Sequence, residues 1–481
     1  MMPKKINRVV TTAQGTFEGI PQGNPAFTVF KGVPYAKPPV GEWRFRHAQP
    51  AERFEGVRKC DTFPPIAVQN AERDSGCYNK EFFPAVVPMS EDCLYLNIWT
   101  PSTEAVAKLP VMLWIHGGGY TAGYGYEMEM DGEAFSRRGV ILVTMTYRLG
   151  ALGFMAHPEL SRRCPHGVSG NMAVSDCVEA LRWIQKNISA FGGDPSNVTV
   201  FGQSAGGGMT QAMLASPATD GLFKHAIVQS AGGISTLGPE VTLKDMEDVG
   251  ALICEKMGKT IDELIEMDAY ELTVGIEKVM FENRMFMRMV PCVDNMLLNG
   301  APGAVIAAGK HHNVDIMTGS VGGDGGLFAR SNDPEVQRAA SMVTPRAWAK
   351  AETLNGRKPL HVYYFDRKLP GGDGVEGFKD TAFHSSELWY VFGTLNRCWR
   401  STDPGFEAGD YILSERMTSY WANFAKTGDP NGEGLPEWQS YTSEHPMTMH
   451  FNEKTIASED MSGDKVVEDM ADKAVKEALG K

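Results

Sequence analysis

The sequence predicts an α/β protein built on a mostly parallel β-sheet. Apolar, β-branched runs of strand length recur along the chain, and such runs are typical of strands buried on both faces of a parallel sheet. Helical patterns lie between them, and this alternation is typical of the α/β class. The six runs cover residues 111–115, 140–147, 198–201, 226–229, 314–318 and 362–365.

The predicted helices follow from the spacing of apolar side chains. Residues 175–188 place their apolar side chains at helical spacing. Residues 243–280 predict one or two acidic helices, and residues 338–354 predict another. From Glu459 onward the chain is charged, and we expect it to end in a helix that faces solvent.

The length of the chain is compatible with one domain. Its 481 residues exceed the usual size of a domain, but an α/β sheet with large insertions can contain them. No repeat, low-complexity stretch or Ser/Gly/Pro linker divides the sequence. We therefore expect a single domain, 1–481, with helical insertions at about 240–290 and 330–360.

The charge balance argues against nucleic-acid and membrane partners. The 59 acidic and 46 basic residues give a net charge of −13 at pH 7. Without a basic patch, this charge repels a phosphate backbone or an anionic membrane. Residues 1–15 contain no apolar stretch typical of a signal peptide, and no run of about 18 apolar residues occurs. We expect a cytoplasmic protein that binds neither nucleic acid nor membrane.

The eight cysteines show no CxxC pair and no zinc-like grouping with histidines. We therefore expect no metal site. Their even number leaves disulfides open, but their scattered spacing favours reduced thiols.

The strongest local motif is a G-x-S-x-G sequence between a predicted strand and a predicted helix. This order is the pattern of a nucleophile elbow, in which a sharp turn exposes the serine above the sheet. The flanking glycines are needed because a Cβ atom there would meet neighbouring backbone. A glycine-rich turn without chemistry is the alternative. The motif is Gly202-Gln203-Ser204-Ala205-Gly206, with Ser204 as the candidate nucleophile.

A second motif, His116-Gly117-Gly118-Gly119, follows the predicted strand at 111–115. It matches the HGGG loop whose backbone amides form the oxyanion hole of lipases and esterases. Residues without side chains let N–H groups approach a tetrahedral oxyanion, and each donor contributes about 3 kcal/mol. The two motifs, found in the expected order, support each other.

With both motifs present, the chain resembles the type-B carboxylesterases, a family of α/β-hydrolases that includes carboxylesterases and cholinesterases. The resemblance extends from about residue 7 to residue 452, and Gln203 stands where the family usually has glutamate. It implies an α/β-hydrolase fold, a central mostly parallel sheet flanked by helices. Further blocks similar to those of the family lie at 32–36, 91–99, 147–154, 291–294 and 428–431.

The resemblance also implies the other two members of a catalytic triad. Residues 319–325 look like the family's acid block, in which Asp324 takes the acid position. His384 stands in a segment similar to the family's histidine block. The order Ser204, Asp324, His384 is the order of α/β-hydrolases. Glu387, three residues after the histidine, is a competing carboxylate.

By the same resemblance, the backbone amides of Gly118, Gly119 and Ala205 form the oxyanion hole, with Gly117 as a weaker candidate. The implied mechanism is acyl transfer in two steps through an acyl-enzyme. It needs no metal and no organic cofactor.

One cysteine and one aromatic site depart from the family pattern. In secreted members a cysteine at the position of Cys93 pairs with an earlier one, but the aligned segment 64–69 contains none. A free thiol is favoured over a bridge to Cys77 or Cys60. The aromatic choline site of cholinesterases is not recognisable before Glu91, which argues against cholinesterase activity.

We therefore expect a serine carboxylesterase for small to medium esters, with aryl and phenolic esters among the candidates and the helical insertions as a cap over the active site. A feruloyl or cinnamoyl esterase is the alternative within the class, because pocket shape rather than the triad decides between them. A catalytically silent binding protein of the same fold is the alternative from another class, although such members usually lose the serine. A lipase is disfavoured, since no amphipathic lid is evident. The oligomeric state is not predicted.

Overall fold

The structure is a computed structural model. It describes residues 6–72, 77–82, 87–234, 241–285, 288–325, 333–370, 382–401 and 405–480. Fourteen strands lie in this part of the chain. They are β1 (Val9–Thr11), β2 (Thr16–Glu18), β3 (Ile20–Pro21), β4 (Thr28–Pro34), β5 (Val57–Lys59), β6 (Tyr95–Thr100), β7 (Leu109–Ile115), β8 (Ile141–Met145), β9 (Gly193–Gln203), β10 (His225–Gln229), β11 (Asp315–Val321), β12 (His361–Phe365), β13 (Met447–Phe451) and β14 (Ile456–Asp460).

The main sheet is mostly parallel, as the sequence predicts. Its strand order is β14-β13-β12-β11-β10-β9-β7-β8-β6-β4-β3, while β1, β2 and β5 form a separate small sheet. The central strands from β13 to β8 are parallel neighbours, and antiparallel strands complete both edges. The six predicted strands correspond to β7 through β12, so the predicted fold class is confirmed.

Both faces of the sheet are buried, as β7 illustrates. Val111, Leu113 and Ile115 pack into one hydrophobic cluster, whereas Met112 and Trp114 pack into another. Because successive side chains of a strand point to opposite faces, the two clusters lie on the two sides of the sheet. Burial on both faces explains why the central strands appear in the sequence as continuous apolar runs.

Helices cover the sheet. Fourteen α-helices lie in the described residues. They are α1 (Cys77–Glu81), α2 (Glu133–Ser136), α3 (Gly150–Phe154), α4 (Pro158–Arg163), α5 (Met172–Asn187), α6 (Ala205–Ala215), α7 (Leu243–Met257), α8 (Ile261–Glu266), α9 (Ala269–Glu282), α10 (Pro302–Ala307), α11 (Pro334–Leu354), α12 (Leu388–Val391), α13 (Ala408–Thr427) and α14 (Lys465–Ala478). The predicted helix at 175–188 lies largely within α5, and the one at 338–354 lies within α11.

Residues 243–280 form three helices, whereas the sequence predicted one or two. Gly258 ends α7 in the left-handed region, with φ 63°, which favours glycine. Thr260 then caps the N-terminus of α8 through its side chain, and Asp268 does the same for α9. The breaks are therefore local, and each was readable from a capping residue in the sequence.

The charged C-terminal segment is helical but not wholly solvent-facing, which corrects the prediction. Val467, Ala471 and Val475 of α14 are buried, and the helix packs on α11. Ion pairs join the two helices, such as Lys350 to Glu468 at 2.7 Å. The helix α11 in turn packs on β11 and β12. The single domain and the cap at about 240–290 and 330–360 stay predictions.

The cysteine side chains that the structure describes are all free thiols, and Cys60 and Cys93 are buried among them. The side chain of Cys77 lies outside the described residues. Within the described ranges, no helix combines the length and the apolar character needed to cross a membrane.

Candidate active site

Ser204 occupies the sharp turn between β9 and α6. Its φ of 57° and ψ of −124° are strained for a residue with a side chain. The turn is held by its N–H, which donates to the carbonyl oxygen of Gln229 at 2.9 Å, and by its carbonyl, which accepts from Gly208 at 2.9 Å. The serine therefore stands at the carboxyl end of a central strand and at the N-terminus of a helix.

The two glycines of the motif are required by close backbone contacts. A Cβ atom on Gly206 would lie 2.0 Å from the carbonyl oxygen of Ile115, and one on Gly202 would lie 2.4 Å from the carbonyl oxygen of Gly206. Neither position can accept a side chain unless the sheet and the helix separate. The elbow is thus packed directly onto the end of β7.

The glycine loop that follows β7 lies beside the serine. A Cβ atom on Gly117 would lie 3.3 Å from the Cβ of Ser204. Gly118 and Gly119 both have positive φ, 103° and 63°. Among the described residues, no hydrogen bond is found from the N–H groups of Gly118, Gly119 or Ala205. These amides are therefore available to a ligand bound at Ser204.

His116 begins this loop as a buried, neutral imidazole. Burial lowers its pKa to about 4, although its hydrogen bond with the carbonyl of Gly117 opposes the shift. Its ring stacks on Tyr147 at 4.4 Å between centroids, and the Tyr147 hydroxyl donates to the carbonyl oxygen of His116 at 3.0 Å. These contacts indicate that His116 supports the loop rather than transferring protons at neutral pH.

Asp324 and His384 are joined by a short contact. The imidazole Nδ1 lies 2.6 Å from Asp324 Oδ1, and Asp324 Oδ2 accepts from the N–H of Val321 at 3.0 Å. Both residues are buried, with 2% and 7% exposed surface. The backbone of the acid loop also contacts the histidine segment, since Gly323 N–H donates to the carbonyl of Ala382 at 2.6 Å. The carboxylate is therefore fixed by its own loop despite the neighbouring glycines.

The charge of Asp324 governs the ionisation of His384. Burial by itself lowers the pKa of the imidazole, but the charge and the hydrogen bond of Asp324, with a smaller contribution from Glu387, outweigh burial and raise it above its ordinary value. The folded protein therefore stabilises the protonated form of His384. A group that accepts a proton during a reaction needs such stabilisation.

Gln203 contacts the other nitrogen of the imidazole. Since Nδ1 faces a carboxylate and carries the proton, Nε2 accepts, and the Gln203 amide nitrogen lies 3.2 Å from it. The Gln203 oxygen accepts from the Ser385 hydroxyl at 3.0 Å, which fixes the orientation of the amide. Because Gln203 precedes Ser204, this contact places Nε2 of His384 beside the elbow.

Glu387, the competing carboxylate, has a different partner. Its Oε1 accepts from the amide of Gln229 at 3.2 Å, and no hydrogen bond to its Oε2 is found in the described residues. Burial, together with the charge of Asp324, raises the pKa of Glu387 to about 7, while His384 opposes this shift.

Two further buried carboxyl groups, Glu127 and Glu129, lie near the glycine loop and were not singled out from the sequence. Glu127 Oε1 accepts from the N–H of Tyr124 at 2.9 Å. Burial raises the pKa of Glu127 to about 7, and burial with the charge of Glu127 raises the pKa of Glu129 well above its ordinary range. The sequence carries the two acids two residues apart in a loop, but no local pattern indicates that both are buried.

Anywhere in the described ranges, including this site, no group of three or more histidine, cysteine, aspartate or glutamate side chains is arranged to hold a metal ion.

A family model matches almost the whole chain. It is the model of the carboxylesterase family, and it matches residues 6–354 and 339–467. This chain belongs to that family. As a carboxylesterase family member, it is a carboxylic ester hydrolase with the α/β-hydrolase fold, as the sequence motifs predicted.

Curated relatives of this carboxylesterase include two bacterial esterases. The fumonisin B1 esterase of Sphingopyxis macrogoltabida is 32% identical over 479 residues, covering 89% of this chain and 84% of the relative. The para-nitrobenzyl esterase of Bacillus subtilis is 31% identical over 503 residues, covering 95% of this chain and 98% of the relative.

Solved esterase structures share the fold over nearly its full length. A thermophilic para-nitrobenzyl esterase superposes with a TM-score of 0.81 at 30% identity, covering 96% of this chain and 99% of the other. A Geobacillus stearothermophilus carboxylesterase superposes with a TM-score of 0.77 at 29% identity, again covering 96% of this chain and 99% of the other.

Proposed function

We propose that this enzyme is a serine carboxylesterase in which Ser204 is the nucleophile, His384 the general base and Asp324 the acid of the triad. The observation that carries the proposal is the 2.6 Å contact between Asp324 and Nδ1 of His384, together with the 3.2 Å contact between Nε2 and the amide nitrogen of Gln203, the residue before Ser204. With its proton on Nδ1, the imidazole keeps Nε2 as its basic nitrogen, which the mechanism needs for removing the serine proton.

In the first step, His384 takes the proton of Ser204 as the serine oxygen attacks the ester carbonyl. The protonated imidazole then gives this proton to the departing alcohol, and an acyl-enzyme remains. In the second step, His384 activates a water molecule that releases the acid. Asp324 holds the imidazole in the tautomer with its proton on Nδ1 and stabilises the cation that forms in each step.

We assign the oxyanion hole to the N–H groups of Gly118, Gly119 and Ala205. The glycine loop approaches Ser204 closely, and Ala205 is the first residue of α6, so its N–H lies at the positive end of the helix. Donors fixed in advance by β7 and α6 need no reorganisation when the tetrahedral oxyanion forms. This is the condition under which such donors stabilise a transition state most.

The substrate class in this proposal is small to medium carboxylic esters, with aryl and phenolic esters among the candidates. The names of two relatives, para-nitrobenzyl esterase and fumonisin B1 esterase, support an ester with an aromatic or a larger organic group. Hydroxycinnamate esters belong in the same test, since pocket shape decides between these substrates. The cytoplasmic location predicted from the sequence stays a prediction.

The test is active-site labelling combined with a panel of esters. A fluorophosphonate should label the wild-type protein at Ser204 in a one-to-one ratio, and Ser204→Ala should lose both labelling and turnover. Ser189→Ala, at an exposed serine, is the matched control and should keep both. Full esterase activity in Ser204→Ala would refute the serine mechanism. The panel of acetate, benzoate and hydroxycinnamate esters then ranks the substrates by kcat/KM.

A further inference from the structure

Glu81 is a buried carboxylate enclosed by hydrogen-bond donors. It is the last residue of α1 and only 1% exposed. Its Oε1 accepts from the indole N–H of Trp389 at 3.0 Å, and its Oε2 accepts from the indole N–H of Trp399 at 2.8 Å. The Nε of Arg400 lies 3.1 Å and 3.0 Å from the two oxygens. Donors from separate parts of the chain thus fix this carboxylate in one position.

Arg400 is fixed as firmly as its partner. It is 3% exposed, and one terminal nitrogen donates to the carbonyl oxygen of Pro370 at 2.8 Å. Its guanidinium carbon lies 4.5 Å from the ring centroid of Trp399 and 5.6 Å from that of Phe383. These hydrogen bonds hold the ion pair in one geometry, and removing either partner would leave an uncompensated buried charge. Phe383 directly precedes His384, so the pair borders the candidate base.

Two aromatic side chains, Tyr78 within α1 and Phe82 directly after it, pack near the histidine segment, against Phe383 and Trp389. Phe82 stacks on Trp389, with ring centroids 5.9 Å apart and an angle of 19°, and it lies 6.5 Å from Phe383. Tyr78 meets Phe383 edge to face at 6.3 Å. Phe82 is buried, whereas Tyr78 is half-buried. The ion pair therefore sets where two aromatic rings lie relative to the residue before His384.

The segment that contains α1 also contacts the chain shortly after the glycine loop. We call it the bridging segment, and its described residues are 66–72, 77–82 and 87–90. The amide of Gln69 pairs with the backbone of Gly123, accepting its N–H at 2.9 Å and donating to its carbonyl at 3.2 Å. The ends of the segment meet at Ile66, whose N–H donates to Pro88 at 2.9 Å. The described parts of the bridging segment thus contact Gly123, four residues after the glycine loop, and Phe383, the residue before His384.

We propose that Glu81 is a positioning residue that acts through Arg400, Trp389 and Trp399. It holds Tyr78 and Phe82 against Phe383, and these three rings form a wall of the ester site. This wall determines specificity for bulky aromatic esters.

The argument rests on the proposed function, because it takes His384 as the base beside which the ester binds. An ester bound at Ser204 must bring its acyl or alcohol group past the surroundings of His384. Phe383 is the residue before His384, and its ring meets that of Tyr78 edge to face. Aromatic rings held at fixed positions favour flat aromatic groups, which can stack or meet them edge to face. A small acetyl ester has little to contact there. The wall therefore matters for large esters and little for small ones.

The test compares Glu81→Gln with a matched control, Glu352→Gln. Glu352 is also a buried carboxylate, 2% exposed, and it accepts from the indole of Trp348 at 3.2 Å and from Nε of Arg357 at 2.8 Å. It lies near the end of α11 and close to the start of β12, opposite the carboxyl ends of the strands that carry the site. Each change removes the charge of a buried carboxylate that is paired with an arginine and with an indole N–H.

For Glu81→Gln we expect kcat/KM for a naphthoate aryl ester to fall about tenfold or more through KM, while kcat for the corresponding acetate ester changes less than about threefold. Glu352→Gln should lower the melting temperature without changing the ratio between the two esters. Tyr78→Ala, which leaves the ion pair intact, should shift the ratio in the same direction as Glu81→Gln, and it decides the matter if Glu81→Gln does not fold.

An unchanged naphthoate-to-acetate ratio in folded Glu81→Gln, or in Tyr78→Ala where the first variant does not fold, overturns the proposal. Labelling of wild-type protein by a small fluorophosphonate separates this result from failure of the proposed function. If Ser204 is labelled and the ratio stays constant, only the wall is wrong. If Ser204 is not labelled, the serine mechanism itself is wrong.

Discussion

Asp324 and Glu387 lie close enough that the charge of the aspartate, added to burial, raises the pKa of Glu387 to about 7. Asp324 contacts Nδ1 of His384 at 2.6 Å, whereas Glu387 accepts from the amide of Gln229 at 3.2 Å. Two buried carboxyl groups near one imidazole therefore have different partners, and the difference separates their expected contributions to the reaction.

The first prediction compares Asp324→Asn with Glu387→Gln. Asp324→Asn keeps the shape of the side chain but favours the wrong imidazole tautomer, so kcat should fall by about four orders of magnitude. Glu387→Gln removes a group outside the Nδ1 contact and should cost less than about tenfold. Steady-state kinetics on folded variants checks both values. If Glu387→Gln were the more damaging change, Glu387 would become the candidate acid.

The agreement between sequence and structure is best where local pattern decides the outcome. The run at 111–115 predicted β7 because a strand buried on both faces needs apolar side chains throughout, whatever its neighbours are. The break between α7 and α8 is equally local, since Gly258 and Thr260 are a stop and a start for helices. The sequence predicted at most two helices over 243–280, because the acidic, apolar pattern continues across the breaks.

Features that depend on distant packing could not be predicted in the same way. The burial of Glu129 and the donors around Glu81 come from segments far apart in the chain, and no spacing in the sequence reports such contacts. The helix α14 is intermediate: Val467, Ala471 and Val475 repeat every four residues, which indicates a buried stripe. The high charge of the same segment instead led to the prediction that this helix faces solvent.

The second prediction concerns the acid limb of the pH profile. Because the charge of Asp324 outweighs burial and raises the pKa of His384 above its ordinary value, kcat/KM should rise with pH through an ionisation above that of an ordinary histidine. Gln203→Glu places a negative charge beside Nε2, stabilises the cation further and should move this limb to higher pH. Profiles of kcat/KM against pH for both proteins check the shift. A limb that moved to lower pH in the variant would contradict the assignment of His384.

The third prediction concerns stability near the glycine loop. Burial raises the pKa of Glu127 from 4.5 to about 7, so between these values the folded protein binds more protons than the unfolded chain. The free energy of unfolding should therefore fall as the pH rises from about 4.5 to about 7. Glu127→Gln can still accept from Tyr124, and it should flatten this fall and stabilise the protein at pH 8 by on the order of 1 kcal/mol. Urea unfolding at several pH values measures the free energy of unfolding of both proteins.

A matched control for that change is Glu255→Gln at a side chain that is 71% exposed. It should leave the pH dependence of the free energy of unfolding unaltered, because it removes no buried carboxyl group. If both variants behaved alike, or if wild-type stability rose across the same pH interval, burial of an ionisable Glu127 would be refuted.

The last prediction concerns the thiols. A hydrogen bond with His47 lowers the pKa of the Cys164 thiol to about 7, with burial opposing it and the N–H groups of His166 and Val168 supporting it. Cys164 is also partly exposed, whereas Cys60 is buried and burial raises its pKa to about 12. Since the thiolate is the reactive form, iodoacetamide at pH 7.5 should alkylate Cys164 well before Cys60. Peptide mass spectrometry over time measures the two rates.

His47→Ala removes the first and largest cause of this low pKa, so alkylation of Cys164 at pH 7.5 should slow, and the difference from wild type should narrow at pH 9.5, where an ordinary thiol also ionises. Cys164→Ser should leave turnover intact, because the thiol is not part of the proposed triad. Equal alkylation rates of Cys164 and Cys60 in the folded protein would show that His47 does not activate the thiol.

The number of free thiols is measured separately, on the denatured protein. Titration should find all eight thiols, as the sequence predicts. A count of six would show one disulfide instead.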